Sequence, residues 1–163
     1  MSSEPIKGAS SIATEKLIEV WQGSIDASDL LDGLTPEQAV TKLETWPYSV
    51  AEQVAHMIFW QRHTLDEIEK GVNEDVPTAA DSWPAVTLKD WPRLKDEFLA
   101  NLDRSKKIAR DAEMLERPLP TNDKITIGAF MLQQVTHDCY HLGQVTLLRR
   151  LMGAWPPPNV GNT

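Results

Sequence analysis

Apolar residues along this chain recur at three- and four-residue intervals in several long stretches, the spacing that puts them on one face of a helix. The first stretch has Ile12, Leu17, Val20 and Trp21 on one side and runs on toward Leu30 and Leu31, with Gly23 weakening its middle. A short helix follows, with Thr35 as its cap, Pro36 in the first position and Gln38 after it, ending near the Thr45-Trp46-Pro47 run. Ser49 and Glu52 then form a Ser-x-x-Glu capping box at the head of a strong helix that Gly71 stops. Its apolar stripe is Val54, Met57, Ile58, Leu65 and Ile68.

Residues 72–86 carry Pro77 and Pro84 and no period, and read as a long loop. The next helix starts at Thr87 or Asp90. Asp90 is the better cap because it leaves Pro92 in the first turn, where a missing N–H costs nothing. Leu94, Phe98 and Leu102 form its stripe, and it should end near Met114. A second loop follows, in which Lys124–Ile127 can be extended, and Thr126 serves as cap for a last long helix reaching Met152 before Gly153. Four long helices without a convincing strand run predict an all-α four-helix bundle over residues 9–153. It has long loops between its helices, a tail at 1–8 and a proline-rich tail at 154–163.

Composition narrows the function classes. With 24 acidic and 16 basic residues the net charge is −8, which argues against a phosphate-tracking nucleic-acid surface. The one basic cluster, residues 104–110, is diluted by Asp103 and Asp111. No stretch approaches the ~20 apolar residues of a membrane span. The N-terminus lacks the basic start and apolar run of a signal peptide, so a cytoplasmic protein is expected. A single cysteine, Cys139, rules out an internal disulfide.

The chain has four histidines, and two of them, His137 and His141, stand one turn apart in the last helix. On a wheel of about 100° per residue they share a stripe with Phe130, Gln134, Leu148 and Met152, while Asp138, Arg149 and Arg150 point elsewhere. Two inward imidazoles at this spacing can grip one metal ion from the same side. They can equally be core histidines bonded to neighbours. A third ligand must come from His56 or His63. These are seven residues apart, or ~10.5 Å along their helix, too far to share an ion with bonds of ~2.1 Å. His56, near small Ala51 and Ala55 and flanked by Phe59 and Trp60, is the stronger candidate, although it lies opposite the main apolar stripe. His63, in a polar stretch, is expected to be exposed.

The segments Ser49–Met57 and Thr136–Gly153 resemble the DinB/YfiT-like family of bacterial four-helix-bundle metalloproteins. That family places one histidine on its second helix after a Ser-x-x-Glu start, and a His-x-x-x-His pair followed by Gly-Gln on its fourth. His56, His137, His141 and Gly143–Gln144 match. The resemblance implies that the three histidines hold a divalent metal, commonly zinc or nickel. It further implies a small-molecule substrate, such as a low-molecular-weight thiol for the transferases and isomerases of the family, or a hydrolysable compound. Homodimers are common among its members. The chain departs from the pattern at Leu142, where a basic residue often precedes Gly-Gln.

A divalent ion held by three neutral ligands can activate a thiol or a water, so thiol-S-transferase and hydrolase chemistry both fit, as does a non-catalytic metal- or ligand-binding bundle related to stress. Cys139 sits ~200° around the helix from His137 and is expected to pack rather than react. Asp138 and Glu52 are the acids nearest the histidines. Asp138 is ~100° off the His137 direction, and Glu52 already has a capping role, so neither is assigned as a base. Gln134 is a plausible supporting partner, and Trp60 a wall.

Overall fold

A computed structural model describes residues 25–73, 75 and 78–161. Most of the first expected helix and the tail before it lie outside the described residues. Helix α1 spans Ala27–Leu31 and α2 spans Pro36–Val40. At α2 the Thr35 hydroxyl accepts from Gln38 N and the Gln38 side chain accepts from Thr35 N, the reciprocal box the sequence suggests. The helix is shorter than expected, ending at Val40 with Thr41 extended rather than running to the Trp46-Pro47 bond.

The capping box of Ser49 and Glu52 opens α3, Val50–Lys70, which closes on Gly71 in the left-handed conformation (φ 65°). A non-glycine residue is strained in that conformation, and the sequence supplies glycine there. Helix α4 covers Trp91–Ala109, short helix α5 Ala112–Glu116, and α6 Ile127–Leu151. Long α3 packs against both α4 and α6, and the result is an all-α bundle. Its core is built from Val54, Met57, Ile58 and Leu65 of α3, Leu94, Phe98 and Leu102 of α4, and Met131, Val135, Val145 and Leu148 of α6, all buried. Each such side chain contributes roughly 1.5–3 kcal/mol by leaving water.

Three local expectations need correction. Asp90 takes the N-cap position of α4 and leaves Pro92 in the first turn as expected, but its side chain makes no cap bond: the carboxylate accepts from the backbone and hydroxyl of Thr87 at 2.8 and 2.7 Å, closing a 3-10 turn over Leu88–Asp90. Trp91 and Pro92 then start α4 directly. That helix stops at Ala109, not near Met114, because Asp111 caps a new helix by accepting from Met114 N at 3.0 Å. The second loop contains an antiparallel pair, β1 (Pro118–Leu119) and β2 (Asn122–Thr126), so the extended reading of Lys124–Ile127 applies to its first three residues. Thr126 caps α6 as expected, accepting from Ala129 N.

Arg149 and Asp138 are buried, at 2% and 1% exposure, although the wheel placed them off the inward stripe. The reason is that α6 is covered on more than one side. Arg149 donates from Nη1 to the carbonyl oxygens of Leu30 (2.5 Å) and Asp32 (2.7 Å), and from Nε to that of Ala154 (3.0 Å). It thereby joins the end of α1 and the segment after α6 to the bundle. That last segment lies back along the body, with Pro157 buried and Trp155 against the core under Arg150. Gly33 (φ 70°) meets it so closely that a Cβ there would lie 2.7 Å from Pro158 Cγ.

Candidate metal centre

Helices α3 and α6 run antiparallel, as their cross-contacts show: Gln53 meets His141, Gln61 meets Asp138, and Thr64 meets Gln134. This arrangement brings His56 opposite the His137–His141 pair. One ring nitrogen from each of the three lies within 4.8 Å of the others, the one such cluster of His, Cys, Asp or Glu ligands among the described residues. His56 Nε2 and His137 Nε2 are 3.2 Å apart. Cys139 and His63 are not part of the cluster.

The hydrogen bonds behind the rings set their chemistry. His56 Nδ1 is 2.9 Å from the carbonyl oxygen of Ser82. A carbonyl only accepts, so Nδ1 carries the proton and Nε2 is left with its lone pair pointing inward. His141 Nδ1 lies 2.6 Å from Gln53 Oε1, and the amide oxygen imposes the same tautomer. Burial pushes the His56 pKa down, with the charge of His137 adding to it and the Ser82 bond opposing it. Burial, then the charges of His137 and His56, lower that of His141 to about 4. His137 is half-buried, and its Nδ1 has no hydrogen-bond partner, with Asp138 Oδ1 at 3.9 Å.

His137 Nε2 either donates to the bare His56 Nε2 at 3.2 Å or, with its proton on Nδ1, leaves three converging lone pairs for a cation. For a tetrahedral ion with bonds of about 2.1 Å, neighbouring nitrogens sit about 3.4 Å apart. The His56–His137 spacing is close to that edge. The donor set therefore fits a divalent metal, with two of the three rings already oriented by protein acceptors in the manner usual for metal-binding histidines.

The loop that sequence reading left without structure is what completes the site. A 3-10 turn at Ala79–Ser82, closed by Thr78 and Asp81, delivers the Ser82 carbonyl to His56. Next to it, Trp83 stacks on the His56 ring at 3.8 Å and 7°, and on Tyr48 at 3.7 Å and 8°. His56 is thus buried although it lies opposite the main stripe of α3, because the loop covers that side. Trp60 stands edge-on to both His56 and His137, the wall expected of it. Gln53, Ser82, Trp83 and Tyr48 were not legible as site residues: Gln53 lies on a helix face with no special spacing, and the other three lie where no period exists.

Neither acid is free to act as a base. Glu52 has one oxygen on Ser49 N (2.8 Å) and the other on Lys42 Nζ (2.7 Å). Burial raises its pKa, but Lys42 and Ser49 outweigh burial and hold it below the ordinary value. Asp138 accepts from Gln61 Nε2 at 3.2 Å and from Gln134 Nε2 at 2.8 Å. Gln134 supports the site through this carboxylate rather than by touching an imidazole. Cys139 is half-buried, and burial with the Asp138 charge raises its pKa, which suits a packing thiol. His63 is half-buried rather than exposed, because its ring stacks on Trp60 at 5.5 Å.

Beside the three histidines a cleft of about 580 Å³ opens between α3, α6 and the β1–β2 hairpin, with His137 and Trp60 at one end. No described helix is long and apolar enough to cross a membrane.

A helical bundle with a histidine triad between its antiparallel long helices α3 and α6 defines the class, and comparison with known families agrees. The sequence model of the DinB superfamily matches residues 25–145, a span that contains His56, His137 and His141. The chain belongs to the DinB superfamily. No curated protein and no solved structure gave a match to it.

Proposed function

We propose that this protein is a divalent-metal-dependent enzyme acting on a small molecule, with His56, His137 and His141 as ligands of a zinc or nickel ion. The observation that carries this reading is the convergence of the three ring nitrogens beside a cleft that His137 lines and that is large enough for a metabolite. When bound, such an ion keeps its full charge and open positions, and so lowers the pKa of a thiol or water brought to it. The protein supplies the rest. Ser82 and Gln53 hold two rings in the tautomer that ligates, Trp60 and Trp83 wall the site from bulk water, and the cleft positions the substrate against His137.

Thiol transfer fits this arrangement better than hydrolysis. Hydrolysis gains from a carboxylate that moves protons at the site, and both nearby acids are engaged elsewhere. A thiol needs only to lose its proton. The test is to load the protein with cobalt, add low-molecular-weight thiols, and look for a cobalt-to-sulfur charge-transfer band together with faster conjugation of the thiol to an electrophile. Both should appear, both should be lost in His137→Ala, and Cys139→Ser should match the parent. Cleavage of simple esters or amides with no thiol response would replace transfer by hydrolysis. Silence to thiols, esters and amides alike would leave a metal-binding bundle without catalysis.

A further inference from the structure

The cleft extends well beyond the histidines, and its far end has a distinct chemistry. From Trp60 to Glu67 along α3, and from His137 to Phe130 along α6, the walls run seven residues, or ~10.5 Å. Glu67 closes the far end. Its side chain is buried to 3% exposure, yet among the described residues no lysine or arginine pairs with it. Two neutral donors, the Thr121 hydroxyl and Asn73 Nδ2, approach it, and both go to the same oxygen, Oε1. Oε2 receives no donor from the described residues.

Burying a carboxylate in this way is costly unless a counter-charge completes it. Among the described residues the cleft lining contains no lysine or arginine, so none of them offers a cation to an anionic group. Along the same wall His63 Nδ1 is also buried without a partner. Trp60, Leu119, Ile125 and Phe130 provide apolar surface along the cleft.

We propose that this cleft takes an elongated ligand with a protonated amine at one end, seated on Glu67, whose opposite end reaches His137. For the enzyme this means an amine-bearing thiol as substrate, a deepening that rests on the proposed metal chemistry, whereas the ammonium site at Glu67 does not. Carboxylate- or phosphate-terminated compounds are disfavoured by the same lining. Hydroxyl-terminated ones fit without gain.

Three terminally substituted probes of equal length separate the two ends: aminooctanethiol, hydroxyoctanethiol and mercaptooctanoic acid, titrated into cobalt-loaded protein. The aminothiol should bind about tenfold more tightly than the hydroxythiol, as expected for one charge-assisted hydrogen bond, and the mercaptoacid should bind most weakly. Glu67→Gln should erase the preference for the amine while leaving hydroxythiol affinity and the cobalt spectrum unchanged. Octylamine and octanol, followed by tryptophan fluorescence in metal-free protein, read the Glu67 end alone, and Glu67→Gln should weaken octylamine only. If Glu67→Gln does not fold, Thr121→Lys serves instead. Thr121 is exposed, and the new ammonium would occupy the carboxylate and displace the amine. Equal binding of amine and alcohol in both series overturns the proposal, even where every thiol gives a cobalt band. Loss of the band with octylamine selectivity retained would instead fault the thiol chemistry.

Discussion

Gln53 Oε1 lies 2.6 Å from His141 Nδ1, a contact between two buried side chains 88 residues apart in the chain. The amide oxygen keeps the imidazole proton on Nδ1 and so keeps Nε2 open toward the other two histidines. With the amide nitrogen there instead, the proton would move to Nε2 and close the site.

Replacing Gln53 by Leu, similar in volume and unable to accept, should therefore lower divalent-metal affinity by roughly 10–100-fold, the usual cost of losing such a supporting bond. Competition against a chromophoric chelator measures this. Unchanged affinity would mean that the Gln53 contact does not orient the ring.

How much of this was legible beforehand follows from where each signal lives. The capping boxes at Thr35 and at Ser49, and the glycine stop at Gly71, were readable because each is a local pattern whose hydrogen bonds stay within one turn. His56, His137 and His141 were readable as a group because helical spacing and reach leave few combinations, and the structure does gather them. Arg149 and Asp138 were not, because a wheel assigns one inward face and α6 has neighbours on more than one side. Trp83 and Ser82 were invisible for a different reason. Their role depends on a loop folding back 26 residues to His56, which no periodicity encodes. Glu67 gives no signal in the sequence, because the hairpin residue that bonds it lies 54 positions away.

Arg149 offers a test of the buried connection between α1 and the segment after α6. Arg149→Met keeps much of the volume but leaves the carbonyls of Leu30, Asp32 and Ala154 without their donor. Buried acceptors left unpaired cost on the order of 1–3 kcal/mol each, partly recovered by relaxation. A net loss of about 3 kcal/mol is expected, roughly a 10 °C drop in melting temperature at this size. Differential scanning calorimetry reads it. A drop of a degree or two would show that the guanidinium's bonds are replaced by water.

Stoichiometry separates the histidines by reach. The protein should bind about one divalent ion per chain. His141→Ala should abolish binding, whereas His63→Ala should retain it, because His63 stacks on Trp60 outside the cluster. Elemental analysis of the purified variants is sufficient, and equal loss in both would overturn the ligand assignment. Chelation should leave the circular-dichroism spectrum helical with a lower melting temperature. The core of α3, α4 and α6 is built from apolar side chains, so the ion adds stability only in proportion to its binding.

The metal-free protein should also lose stability on mild acidification, in a window set by the histidines. Burial holds the pKa of His56 below its ordinary value and that of His141 at about 4, while in the unfolded chain both titrate near 6.5. Above about 6.5 neither state takes up protons at these rings. As pH falls below it, the unfolded chain binds protons that the folded protein refuses, so stability declines, and His141 goes on contributing to that decline until its folded-state value near 4 is reached. Carboxylates such as Glu52, also held below their ordinary value, begin to cost stability only under their unfolded value of 4.5, so the two effects separate. Urea midpoints measured with chelator at pH 7.5, 6.5 and 5.5 should fall steadily over the lower interval. Replacing both His56 and His141 by leucine should flatten that interval. A wild-type midpoint independent of pH over this range would mean that the two rings are as solvated in the folded protein as in the unfolded chain.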